Sequence, residues 1–290
     1  MRLAAITDEI SQDLDTALRV CESLGVESVE LRTVEGTQLV EHDAATVRRI
    51  GSAIRGGGFD CAVVDTAFLK AAPVGEAVSD AEWTTLRRGV ELAAELGAGV
   101  VRVFAGARPL GAGTPPRDPL VAAAGAPRDP LDAVAQIRWT ADALARAIGI
   151  AADAGVRLAL EIEWECVVAT RGEAAELVAA MPADGLGIVW DPGNEARFAN
   201  AAPPHGVDPA VAQRIVHVHV KDADANSDWT RVGGGLVDWG AELRTLAAAG
   251  YDGLLSLETH YQLPQGGLPA ATRETAAALR AIAADEGIAL

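Results

Sequence analysis

Four short stretches carry polar residues of the kind that do chemistry, at a spacing that gathers them. Glu161 and Glu163 alternate with Leu158, Leu160 and Ile162, and Asp191 follows Val189 in alternation with Ile188 and Trp190. His217, His219 and Lys221 alternate with Val216, Val218 and Val220, and Ser256, Glu258 and His260 alternate with Leu255 and Leu257. Side chains alternate across a strand, so each polar set shares one face and each apolar set the other. Three carboxylates and an imidazole converging in a protein interior cost several kcal/mol each unless something compensates them. A divalent cation does so. Oxygen-rich ligation with one imidazole suits Mn²⁺ or Mg²⁺, with Zn²⁺ and Co²⁺ also compatible.

The elements that must position these residues form a repeating pattern. Short β-rich runs are expected at Leu3–Thr7, Ser28–Arg32, Asp60–Asp65, Val100–Ala105, Arg157–Glu163, Leu186–Asp191, Ile215–Lys221 and Gly253–His260. Ala- and Leu-rich helical runs fall at about 12–20, 43–56, 80–96, 131–154, 173–180, 238–249 and 268–285. Glycines at 25, 97, 155 and 250 punctuate helix ends before strands, as a left-handed helix cap requires. This alternation argues for parallel strands joined by helices, and eight repeats suggest closure. The expected fold is α/β, a single (β/α)8 TIM barrel spanning residues 1–290. Such barrels take roughly 250 residues and place their active sites where the strands end. The polar sets would then point into the barrel near its catalytic mouth.

Other residues share that interior. Glu30 and Arg32 lie on one face of the second strand, and Arg102 points inward from the fourth. A buried Glu30–Arg102 ion pair is the plainer expectation, and substrate positioning the functional one. Glu163 reads equally well as a support for the ligands or as a rim charge. Trp164 and Trp190 are expected to fill space between strand and helix. Residues 106–130, rich in Gly, Pro and Ala, form a long loop after the fourth strand and read as either a lid or a tolerated insertion. Gly233–Gly235 reads as a flexible loop in preference to a phosphate cradle, with Asp238 as the following N-cap.

The chain of 290 residues is half apolar and carries a formal net charge of −17. That charge disfavours nucleic-acid and anionic-membrane partners. No apolar stretch approaches the ~20 residues of a membrane span, and the opening apolar run is too short for a signal peptide. Three cysteines without a CxxC pair fit a reducing interior. A cytoplasmic protein with a small-molecule substrate is expected, and a homo-oligomer is compatible.

At Ile6-Thr7-Asp8-Glu9-Ile10, Val29-Glu30-Leu31-Arg32, Trp190-Asp191-Pro192-Gly193-Asn194, His217-Val218-His219-Val220-Lys221-Asp222 and Gly250-Tyr251-Asp252-Gly253 with Leu257-Glu258, the sequence resembles the xylose-isomerase-like sugar isomerase/epimerase superfamily. The likeness runs essentially the length of the chain. It implies one divalent metal ion held by Glu161, Asp191, His219 and Glu258, with Glu161 and Glu258 doubling as acid and base. The implied reaction is isomerisation or epimerisation of a sugar or polyol-derived ketone, by proton transfer through an enediolate. Lys221, His217, Asn194, Glu30, Arg102 and His260 are then candidate substrate contacts. Three positions differ from relatives that epimerise free ketohexoses at carbon three, namely Asn194 and Glu163, where those relatives often carry His, and Ala225, where they carry Arg. Lys221 instead resembles the HVHxKD branch, which includes inositol-catabolism proteins. Two other readings remain in play. One is a metal-dependent dehydratase of a keto-inositol or related ring, with His217, His260 or Lys221 as acid. The other is a non-catalytic sugar-binding barrel. An abasic-site endonuclease, which shares the barrel, would need more strand-end histidines than the five present and a basic groove.

Overall fold

The computed structural model describes residues 1–109, 130–182 and 185–290, with backbone alone for 130 and 131. Eight strands, β1 (Arg2–Ile6), β2 (Ser28–Leu31), β3 (Asp60–Asp65), β4 (Val100–Val103), β5 (Arg157–Glu161), β6 (Leu186–Trp190), β7 (Ile215–Val220) and β8 (Leu254–Leu257), close into one barrel. Every neighbouring pair is parallel, and β8 closes onto β1. Around it run α1 (Leu14–Ser23), α2 (Ala44–Gly56), α3 (Asp80–Leu96), α4 (Pro130–Ala152), α5 (Arg171–Ala180), α6 (Pro192–Ala199), α7 (Trp239–Ala248) and α8 (Gly267–Asp285). The protein is a single (β/α)8 TIM barrel. Among the described residues no helix is long and apolar enough to cross a membrane.

Local chemistry sets the helix starts. Asp13, Asp43, Ser79, Thr170, Asp191 and Asp238 each accept a hydrogen bond from a backbone N–H in the first turn of the helix they precede, satisfying donors that the helix itself leaves unpaired. The outward residues of the strands, including Leu158, Leu160, Ile188, Val218, Val220, Leu255 and Leu257, are buried beneath the helices. They form one continuous shell of core, so the parity reading of these strands holds.

The structure departs from the sequence expectations at two places in the fold. Strand β3 ends at Asp65 as expected, but the other seven of the eight strands stop one to three residues earlier at their carboxyl ends, because there the chain leaves the ladder for the loops. Asp191 thereby becomes the N-cap of α6 rather than the last strand residue. Helix α6 itself was not anticipated. Its opening Pro192-Gly193 reads as loop, yet Pro suits the first helical position after a capping Asp. The long loop expected at 106–130, as a lid or an insertion, has residues 110–129 outside the described residues. Of the segment's start, Ala107 bridges to Pro73 and to Cys166.

Cys21, Cys61 and Cys166 are all free and buried. Burial pushes the Cys21 and Cys61 thiols up to about 12 and raises Cys166 as well. The thiolate is the reactive species. Ellman's reagent at pH 8 should therefore release almost no chromophore from the folded protein, and should titrate all three thiols once urea unfolds it. Rapid labelling of even one thiol in the native state would contradict this packing.

Candidate metal centre and active site

Glu161 ends β5, Asp191 follows β6, His219 lies in β7 and Glu258 follows β8. Each is essentially inaccessible to solvent. One ligand atom from each of the four lies within 4.8 Å of the others. His219 turns Nδ1 towards Glu258 Oε2 at 3.0 Å, Glu161 Oε1 at 3.3 Å and Asp191 Oδ2 at 3.5 Å. The same three oxygens receive the Lys221 ammonium, at 2.6 Å from Glu258, 2.8 Å from Asp191 and 3.7 Å from Glu161. A cation thus already sits against this oxygen set, which shows that the set is built around positive charge. Three carboxylate oxygens with one imidazole nitrogen fit a divalent ion of the Mn²⁺, Mg²⁺, Zn²⁺ or Co²⁺ type.

The charges around the ligands hold them in different states. Burial alone would favour neutral carboxyls, but Lys221, His219 and His260 outweigh it at Glu258 and hold that group well below the ordinary carboxylate range. Arg102 and His219 do the same for Glu161. At Asp191 burial wins over Lys221, and the group is raised. Lys221 is itself buried, yet Asp191, Glu258 and Glu161 raise it and keep it charged.

Asn194 ties two members of the cluster together. Its Nδ2 lies 3.0 Å from Glu161 Oε1 and 2.9 Å from Asp191 Oδ2, while its backbone N–H donates to Asp191 Oδ1 at 2.8 Å. Its Oδ1 is buried with no partner among the described residues. Gly193 beside it has no room for a side chain, since a Cβ there would come within 2.8 Å of the Lys221 carbonyl oxygen.

A cavity of about 370 Å³ opens over this cluster. Its walls include Arg32, Asp65, Lys70, Arg102, Phe104, Glu163, Trp164, Asn194, Trp229, Glu258 and His260. Glu258 is exposed to the cavity on one edge. Its Oε1 accepts from Arg32 at 3.0 Å and faces His260 Nε2 at 3.0 Å. Glu161 is not in the wall, and Arg102 and Asn194, which both donate to it, stand there instead. His260 also faces Glu9 at 3.0 Å, and despite burial the two glutamates push it up to about 9.

Of the remaining candidates, Asn194, Arg102 and His260 line the cavity, Lys221 reaches the ligand oxygens from beside it, and Glu30 and His217 lie outside its wall. The expected Glu30–Arg102 pair is not formed. Arg102 instead reaches Glu161 at 2.6 Å and Asp65 at 3.2 Å, and Glu30 accepts from both histidines of β7. Trp190 packs as expected and donates to Glu242 at 2.9 Å. Trp164 does not. It lies beyond the end of β5, where parity no longer applies, and stands in the cavity wall with the Arg197 guanidinium 4.5 Å from its ring centroid. The amides of Gly233 and Gly235 are spent on the Asp222 carboxylate, at 3.0 and 3.2 Å, so those two have no free N–H for a phosphate. Asp8 and Glu9 stood in the sequence only within the family motif, without a role, and Lys70 and Trp229 escaped notice. Asp8 and Glu9 hold Arg32 over the cavity, and Trp229 packs 5.0 Å from His260.

The family model described as xylose isomerase-like TIM barrel matches residues 18–282. The chain belongs to that family. Among solved structures it is similar to a D-tagatose 3-epimerase-like protein, at 19% identity and TM-score 0.73, covering 99% of this chain and 100% of that one. The IOLI protein with a bound zinc atom matches at 17% identity and TM-score 0.69, with 99% of each chain covered. The 3-keto-D-glucoside 4-epimerase YcjR from E. coli matches at 19% identity and TM-score 0.68, covering 97% of this chain and 100% of that one. At these identities the likeness establishes the fold. No curated protein matches the chain.

Proposed function

We propose that the protein is a divalent-metal-dependent isomerase or epimerase of a sugar or polyol-derived ketone, with Glu161 and Glu258 as its proton-transferring pair. The observation that carries this reading is Glu258. One of its oxygens faces the other three members of the cluster, the other meets Arg32 and His260, and the residue lines a polar cavity. Glu161, Asp191, His219 and Glu258 would hold the ion. When bound, a divalent ion supplies Lewis-acid polarisation of a carbonyl oxygen, which acidifies the neighbouring C–H. The chain's own residues do the rest. Glu258, held ionised by Lys221 and His219, is the carboxylate at the cavity edge that would serve as the base, once substrate displaces some of the cations that now weaken its basicity. Arg32 and His260 fix the direction of its outer oxygen. Glu161, ionised beside Arg102, approaches from β5 with two strands between it and β8, and is the partner that returns the proton. Trp164, Trp229 and Phe104 add aromatic surface to the cavity wall, each ring already with a cation over it. The names of the similar structures, which include epimerases and a zinc-bearing protein, support this class.

The charge of the wall favours a neutral substrate. Arg32 is matched by Asp8, Glu9 and Glu258, Lys70 by Glu163 and Glu165, Arg102 by Asp65 and Glu161, and His260 by Glu9 and Glu258. Each of these cations already faces a carboxylate, so a phosphate would gain little here. An unphosphorylated polyhydroxylated ketone fits best.

The test is NMR of substrate C–H exchange with solvent deuterium, using Mn²⁺-loaded protein and a panel of ketoses, sugar acids and keto-inositols. Exchange with an epimer or isomer appearing, and absent in Glu258→Gln, is the expected outcome. Loss of water to an enone or diketone would transfer the assignment to a dehydratase, with His260 as the acid on the cavity wall. Sugar binding with neither exchange nor water loss would leave a binding protein.

A further inference from the structure

Beneath the four ligands lies a second buried polar cluster, on β2, β7 and β8. Glu30 is 0% exposed at its centre. One of its oxygens, Oε1, meets His219 Nε2 at 3.0 Å. The other, Oε2, meets His217 Nε2 at 2.8 Å and the Ser256 hydroxyl at 2.6 Å. Ser256 lies directly beside His219 in the β7–β8 pairing, and the β2–β3 register shifts between Val29 and Glu30. This cluster is outside the cavity wall, so its role is not substrate contact.

An imidazole is a ligand through a nitrogen that carries no proton, and which nitrogen that is depends on what the other one meets. The Ser256 hydroxyl donates to one Glu30 oxygen, and a carboxylate offers only acceptors to the two imidazole nitrogens it faces. The nitrogen facing it must therefore be the protonated one. A divalent ion held by Glu161, Asp191 and Glu258 would take the place of a proton on His219 Nδ1, while Nε2–H stays on Glu30. We propose that Glu30 is the positioning residue of the metal centre. It accepts the Nε2–H of His219, fixing that tautomer and ring orientation, and His217 and Ser256 hold the Glu30 carboxylate in place.

This inference rests on the metal reading above, and its test separates the two. In ¹⁵N-imidazole-labelled, Zn²⁺-loaded wild-type protein, long-range ¹⁵N–¹H NMR should show His219 protonated at Nε2 and metal-bound at Nδ1. Zn²⁺ should bind at one ion per chain. Glu30→Gln keeps the shape but turns half the acceptor into a donor, and should weaken Zn²⁺ binding by about 10–100-fold. It should also shift the visible ligand-field bands of the Co²⁺-substituted protein, whereas Glu30→Asp should restore part of the affinity. A merely structural role would not move the Co²⁺ bands of the folded protein. An unprotonated Nε2 in the wild type would overturn the proposal without any variant having to fold. Unchanged affinity and spectrum in Glu30→Gln would do so too, as would a second ion between Glu30, His217 and His219. A wild type that binds neither Zn²⁺ nor Co²⁺ would overturn the metal centre itself.

Discussion

Glu258→Gln is expected to lower turnover, on whichever panel substrate proves active, by on the order of 10²–10⁴-fold, the range that a positioned acid or base contributes. Three losses coincide in this one substitution. The amide takes no proton from carbon. It replaces one ionised oxygen among the metal ligands. It also leaves Lys221, Arg32 and His260 without the carboxylate they share. Glu161→Gln should be as damaging by a different route. Glu161 stands behind Arg102 and Asn194 rather than in the cavity wall, so its loss should act first on metal affinity. Saturating Mn²⁺ should then recover the share of Glu161→Gln activity lost with the ion, leaving the share lost with the returned proton, and should recover little of the Glu258→Gln activity. Measuring turnover against Mn²⁺ concentration for both variants decides the matter. Equal recovery in both would remove the distinction between the group facing the cavity and the group behind it.

That Glu161, Asp191, His219 and Glu258 converge was legible because they obey a local rule. Glu161 and His219 sit within regular strands, and Asp191 and Glu258 lie one residue beyond them, so alternation with buried Leu, Ile and Val reports their face. The same rule failed for Trp164, three residues past the end of β5, where the backbone has left the ladder. It also could not find Asp8 and Glu9, which stand on a short 3₁₀ turn after β1, or Trp229 in the short hairpin of 222–223 and 229–230. Nor does parity say which inward residue meets which across the barrel. Depth and stagger decide that, and they set Glu30 beside His217 and His219 rather than beside Arg102. The chemistry of the site was therefore readable strand by strand, whereas its supporting network depends on closure, which no single strand encodes.

Closure makes Arg102 a supporting residue with a large expected effect on stability. It is 5% exposed, and its guanidinium reaches Glu161 at 2.6 Å and Asp65 at 3.2 Å over the ring of Phe104. Burial drives Asp65 well above the ordinary carboxylate range even beside Arg102, whereas Glu161 is held ionised. Removing the cation therefore strands Glu161 above all. Arg102→Met should cost about 3–5 kcal/mol in the metal-free protein, the penalty for breaking a buried pair from one side. Arg102→Lys should not rescue it fully, because a single ammonium does not reproduce the fork between two carboxylates. A divalent ion gives Glu161 a second compensating charge. Saturating Mn²⁺ should accordingly stabilise Arg102→Met against urea more than it stabilises the wild type, beyond the common mass-action gain. Urea unfolding of both proteins, with Mn²⁺ and with chelator, reads this directly. A loss below ~1 kcal/mol in chelator would show that Arg102 is not what compensates Glu161 in the barrel interior.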